Sequence, residues 1–102
     1  MNKYFLHGLL KANKDEGDKL SAILLDASRI LADAKGCIIY LVSRDIDDHD
    51  LIWITEIWDS KEDHDQSLTD PLVKDLISNA LPLIAENPAK GQELEFIGGY
   101  GI

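Results

Sequence analysis

The chain has 102 residues, 45% of them apolar, and a formal net charge of −9. That length suits one domain over residues 1–102 with a modest core, roughly 60–70% of the unfolded surface being buried on folding. No run approaches the ~20 apolar residues that span a bilayer, and the opening MNKYFLHGLLKAN has no signal-peptide pattern, so a cytoplasmic protein without a membrane partner is expected.

Residues Lys3 to Lys11 alternate Tyr4, Leu6, Gly8 and Leu10 with Phe5, His7 and Leu9, the period of a first strand. Gly8 marks a close backbone approach or a bulge. The polar stretch Asn13 to Asp18 supplies several candidate N-caps. Beyond it Leu20, Ile23, Leu24, Ala27, Leu31 and Ala34 trace a helical stripe to Lys35, and Gly36 stops the helix as a C′ glycine. Cys37 to Ser43 reads as a second strand, with Cys37, Ile39 and Leu41 on one side and Ile38, Tyr40 and Val42 on the other. Cys37, the single cysteine, cannot form an internal disulfide and reads as a small buried hydrophobe. The acidic loop Asp45 to Asp50 leads into a third strand, Leu51 to Trp58, and the two strands make an antiparallel hairpin.

Ser60 with Asp63 three residues on is a capping-box-like helix start with an acidic first turn. The helix runs from about Lys61 to Leu81, kinked or restarted at Pro71. His64, Leu68, Leu72 and Leu76 share its sheet-facing stripe. Pro82 and Pro88 bracket an irregular stretch, Glu93 to Ile97 is a short last strand, and the tail Gly98 to Ile102 is ordered only where it docks. The order β-α-β-β-α-β is that of a ferredoxin-like α+β fold, with two helices on one face of a four-stranded antiparallel sheet. Strands two and three are apolar on both sides, and no element is left to cover the second face. A two-fold dimer packed sheet to sheet is therefore expected.

From Asp45 to Asp75 eleven acids stand against two bases, Lys61 and Lys74, so this segment holds the whole net charge. Nucleic acid and other polyanions are excluded as partners, whereas a neutral or cationic small molecule is not. Within the segment Glu56 is the single charge of an apolar strand and shares its side with Trp58, while His64 lies on the first inward turn of the next helix. The three are expected to border one cleft. Histidine exchanges protons near neutrality, so His64 reads as a general acid or base, or else as a helix histidine bonded to Glu56 or to backbone. Glu56 either accepts the ring proton of His64 or pairs with a base at the sheet edge. Trp58 walls a pocket for a flat aromatic ligand or belongs to the core. Trp53, on the opposite side, is core or dimer interface, and His7 either points into the same cleft or is a satisfied core histidine. Histidines 7, 49 and 64 lack zinc spacing, and Asp50 stands where a calcium loop through Asp45 and Asp47 needs glycine, so no metal site is expected. No dinucleotide or phosphate-loop motif is present, and no tightly held cofactor is expected.

Glu56, Trp58, His64, Ser67, Leu68, Asp70 and Pro71 form the series E-x-W, a short polar turn, an inward histidine and S-L-x-D-P. This resembles the antibiotic biosynthesis monooxygenase family, in particular its small quinol-monooxygenase-like members. The likeness extends to YFLHGLLKAN, AKGCIIYLVSRD and ELEFIGGYGI. It implies a dimeric α+β barrel and a monooxygenase that needs neither metal nor flavin, an electron-rich quinol or polyphenol itself passing electrons to molecular oxygen. In that reading His64 is the base, Glu56 orients it, and Trp58 and His7 contact the substrate. A haem-degrading branch of the same superfamily uses an Asn, Trp and His set. Its Trp and His would fall at Ser67 and Ile77 of this chain, so haem breakdown is not expected. The competing class is a non-catalytic dimeric module that binds a small molecule or serves a stress response, with His64 structural.

Overall fold

The computed structural model describes residues 3–85 and 91–102. Among them the chain forms β1 (Lys3–Lys11), α1 (Gly17–Leu31), β2 (Cys37–Arg44), β3 (Leu51–Trp58), α2 (Lys61–Ser67), α3 (Pro71–Ala80), a 3₁₀ turn at Leu81–Leu83 and β4 (Gln92–Phe96). The strands pair antiparallel in the order β2-β3-β1-β4, which is the ferredoxin-like α+β arrangement. Pro88 of the expected irregular stretch lies outside the described residues. Among the described residues, no helix is long and apolar enough to cross a membrane.

The register sorts the side chains. Tyr4 lies opposite Trp58, Leu10 opposite Ile52, and Tyr40 opposite Glu56, so these residues share the helix-covered face. On that face Ala12, Leu20, Leu24, Ile52 and Ala80 form one core cluster, and Leu31, Trp58 and Val73 a second. Full burial of Leu20, Ile52 and Trp58 contributes about 2–3 kcal/mol each. The other face presents Phe5, Leu9, Ile39, Leu41, Trp53 and Leu94. Leu41 and Leu94 remain about half exposed there, at 52% and 51%.

Several boundaries differ from those expected. Helix α1 stops at Leu31, and Ala32 to Gly36 is a run of turns. Gly36 therefore opens β2 instead of closing the helix. It has φ +81°, and a Cβ there would lie 2.2 Å from Asp63 Oδ2. A β-bulge between Cys37 and Ile39 moves Cys37 off the face of Ile39 and Leu41, and it packs instead against the Trp58 cluster. Gly8 marks no bulge, and of the two expectations it fits the close approach: the backbone of Gly91 runs past it, 3.6 Å from where its Cβ would stand.

Pro71 restarts the second helix. Ser60 Oγ accepts the Asp63 N–H at 3.1 Å to cap α2, and Asp70 Oδ1 accepts the Leu72 N–H at 2.8 Å to cap α3. The restart breaks the expected stripe. Leu72 turns outward, 61% exposed, while Val73 and Ala80 turn inward. The start of α1 is held from a distance: Asp50, in the hairpin loop, accepts the Gly17 N–H through Oδ1 at 3.0 Å and the Asp15 N–H through Oδ2 at 3.1 Å.

Candidate functional site

An apolar pocket lies between the two long helices and the β2–β3 half of the sheet. It is lined by Ile23, Leu24, Ala27 and Leu31 of α1, Tyr40 of β2, Glu56 of β3, His64 and Ser67 of α2, the following Leu68, and Val73, Leu76, Ile77 and Ala80 of α3. The helical period of α1 and α3 supplies its walls, and strand alternation brings Tyr40 and Glu56 into it side by side. Its volume is about 100 Å³, smaller than the roughly 150 Å³ engineered cavity that takes up benzene. Leu68 and Ile77 are the lining residues with the most exposed side chains.

Glu56 is a buried carboxyl. Its Oε1 accepts the Trp58 indole N–H at 3.0 Å. Burial raises its pKa above the ordinary range, opposed by that hydrogen bond and by the charge of His64. The imidazole of His64 is only 13% exposed and packs between Tyr4, at a ring-centroid distance of 5.4 Å, and Trp58, edge-on at 5.7 Å. Its Nε2 stands 4.0 Å from Glu56 Oε1, beyond hydrogen-bond length, whereas its Nδ1 lies 3.0 Å from Asp65 Oδ1. The side chain within hydrogen-bond reach of the ring is therefore Asp65 and not Glu56.

Burial, with Glu56 beside it, pushes the Tyr40 hydroxyl far above its usual range, so it remains a proton donor. The same two causes, burial first, raise the Cys37 thiol above its usual range. Tyr4 donates to Glu93 Oε2 at 2.8 Å, and burial followed by that bond raises its hydroxyl too.

The four expected residues therefore separate. Glu56 and His64 meet at the pocket. Trp58 is fully buried behind them and supports the Glu56 carboxylate without lining the cavity. His7 is on the opposite sheet face, because odd positions of β1 point away from the helices; its Nδ1 is 3.0 Å from Thr55 Oγ1, and its ring stacks on Trp53 at 4.9 Å. Of the two readings given for His7, a place in this pocket is not what the protomer shows, since His7 does not line it. Tyr40, Ser67 and Asp65 were not anticipated. Tyr40 could have been found by pairing the hairpin across its loop, but Asp65 follows His64 directly and no periodicity points to it. Among the described residues no three His, Cys, Asp or Glu side chains gather in a way that could hold a metal ion. The loop acids bond their own backbone, as in Asp47 N–H to Asp45 Oδ2 at 2.9 Å.

A family model described as antibiotic biosynthesis monooxygenase matches residues 4–78, which include all four expected site residues. The chain belongs to the antibiotic biosynthesis monooxygenase family. A crystal structure named "putative antibiotic biosynthesis monooxygenase" from Chloroflexus aurantiacus is 41% identical, with a TM-score of 0.87 over 98% of each chain. A protein of the same description from Deinococcus radiodurans is 26% identical, with a TM-score of 0.73 over 97% of this chain and 95% of that one. A conserved Methanosarcina mazei protein, 11% identical with a TM-score of 0.85 over 95% of each chain, shares the fold alone. No curated protein matches. Membership in the antibiotic biosynthesis monooxygenase family supports a monooxygenase-like function in general terms.

Proposed function

We propose that the protein is a cytoplasmic monooxygenase that oxidises an electron-rich aromatic, a quinol or polyphenol, with molecular oxygen and without a bound metal or flavin. The observation that carries this reading is the seating of His64 and Glu56 together at the polar end of an otherwise apolar pocket. His64 Nε2 takes a phenolic proton, which raises the electron density of the ring and lets it pass an electron to oxygen. Over the whole reaction a hydroquinone and one O₂ yield a hydroxylated quinone and one water. One oxygen atom bonds to the ring and the other leaves as water, its two protons supplied by the substrate. Glu56, its pKa raised by burial, is a second proton carrier, and the Tyr40 hydroxyl donates a hydrogen bond to substrate oxygen. The apolar walls keep bulk water from the reactive intermediates. Ser67 and Ile77, where the haem-degrading branch would carry Trp and His, both line this pocket, which favours a quinol over haem.

In the same reading the apolar outer sheet face packs against a second copy, giving a dimeric α+β barrel and placing His7 and Trp53 at the interface. The small cavity favours one rival, a dimeric module that binds a small ligand without turnover. An oxygen electrode with metal-stripped protein and a panel of hydroquinones and polyphenols separates the two. Oxygen consumption is expected, and His64→Ala should lower it by about 10²-fold or more while the protein stays folded. No consumption across a broad panel supports the binding module instead.

A further inference from the structure

The imidazole of His64 has two carboxyl groups in view and, when neutral, one proton to share between them. Asp65 Oδ1 stands 3.0 Å from Nδ1, and Glu56 Oε1 stands 4.0 Å from Nε2. Only the first is a hydrogen bond. The Asp65 carboxylate is itself fixed one helical turn back, its Oδ2 accepting from Lys61 Nζ at 3.1 Å. Lys61, Asp65 and His64 thus form a chain along the surface of α2 that leads from solvent to the pocket. The His64 bond, then the Lys61 bond, holds the Asp65 carboxyl below its usual range, so it is an ionised acceptor. The rings of Tyr4 of β1 and Trp58 of β3 pack against the imidazole, Tyr40 of β2 and Ser67 of α2 line the same pocket, and α1 and α3 bring only apolar side chains to it.

We propose that Asp65 is a positioning residue that fixes His64 in its Nδ1–H tautomer, leaving Nε2 as the unprotonated nitrogen directed toward Glu56 and the pocket. A neutral histidine in water prefers its proton on Nε2. In that tautomer the pocket-side nitrogen would be a donor toward Glu56 and could take no proton from a ligand. Asp65 reverses the preference, as the third member of a nucleophile or base relay does elsewhere. The tautomer stands on geometry alone, whereas its catalytic consequence rests on the function proposed above.

Long-range ¹H–¹⁵N correlation spectra of the intact protein, at a pH where the ring is neutral, read the tautomer directly. In the unaltered protein Nδ1 should be the protonated nitrogen. In Asp65→Ala the proton should move to Nε2, and in Asp65→Asn, which keeps a neutral acceptor, much of it should stay on Nδ1. Asp65 is half exposed, so both variants should fold. A proton already on Nε2 in the unaltered protein, or an unchanged tautomer in Asp65→Ala, overturns the proposal. Where a quinol is turned over, Asp65→Ala should lower kcat roughly tenfold with KM little changed, and Asp65→Asn should recover part of it. An unchanged kcat alongside a moved proton removes the catalytic role. A moved proton with no turnover in any form of the protein sinks the monooxygenase reading and leaves the tautomer assignment standing.

Discussion

Glu56 is where the folded chain works against itself. Burial raises its pKa above the ordinary 4.5, so above that value the folded protein holds a proton that the unfolded chain has released. Stability from this group is fully present below pH 4.5 and is lost as pH rises through the raised folded value. Glu56→Gln keeps an oxygen for the Trp58 indole N–H but cannot ionise. Denaturant midpoints measured across this range should fall with rising pH more steeply in the unaltered protein than in the variant, and parallel curves would contradict the assignment. At this scale the sequence singled out Glu56 and His64, which line one pocket, because a lone charge in an apolar strand and a histidine on an inward turn are both out of pattern. Their division of labour was not legible. Whether Glu56 or Asp65 takes the ring proton turns on a difference of about one ångström between two contacts, 4.0 Å against 3.0 Å, which spacing along the chain does not encode.

Asp50 illustrates the same limit for whole elements. The stretch Asn13 to Asp18 offers its own capping residues, yet the start of α1 is held by a carboxylate 33 positions later in the chain. Asp50→Ala should therefore cost about 1 kcal/mol, as loss of an N-cap does, although Asp50 lies in a loop and outside the helix. Gly17→Ala should cost about 1–3 kcal/mol through overpacking, because its Cβ would fall 2.0 Å from the His49 carbonyl oxygen. Urea unfolding measures both, and an unchanged midpoint in either variant would show that the loop does not hold the helix. Elements whose signals are local were read correctly: the alternation of β1 and β3, the Ser60 cap, and Pro71 as a possible restart. Two departures, the bulge at Cys37 and the outward turn of Leu72, have a common origin. Each lies where the regular period is interrupted, by the bulge in β2 and by the new helix start at Pro71, while Leu68 and Leu76 of the expected stripe still line the pocket.

For the molecule as a whole, the order of elements and the greasy character of both sheet faces were legible, because they depend on composition along each strand and not on fine register. The unpartnered face leads to a prediction about assembly. The unaltered chain should sediment as a dimer, and Leu41→Lys, which leaves the helix-side core untouched, should sediment as a monomer with a lower thermal midpoint. A monomer at micromolar concentration in the unaltered protein would refute the sheet-to-sheet packing. The chain's two tryptophans point to opposite faces of β3, five residues apart: Trp58 is sealed inside, with Glu56 on its indole N–H and the edge of His64 against it, and Trp53 lies on the face proposed to meet the second copy. The molecule thus carries two optical reporters of different events. The emission of Trp58 should follow the charge state of its two neighbours and so signal proton movement in the pocket. That of Trp53 should shift with dilution as the subunits part, and replacing either indole with phenylalanine isolates the other signal.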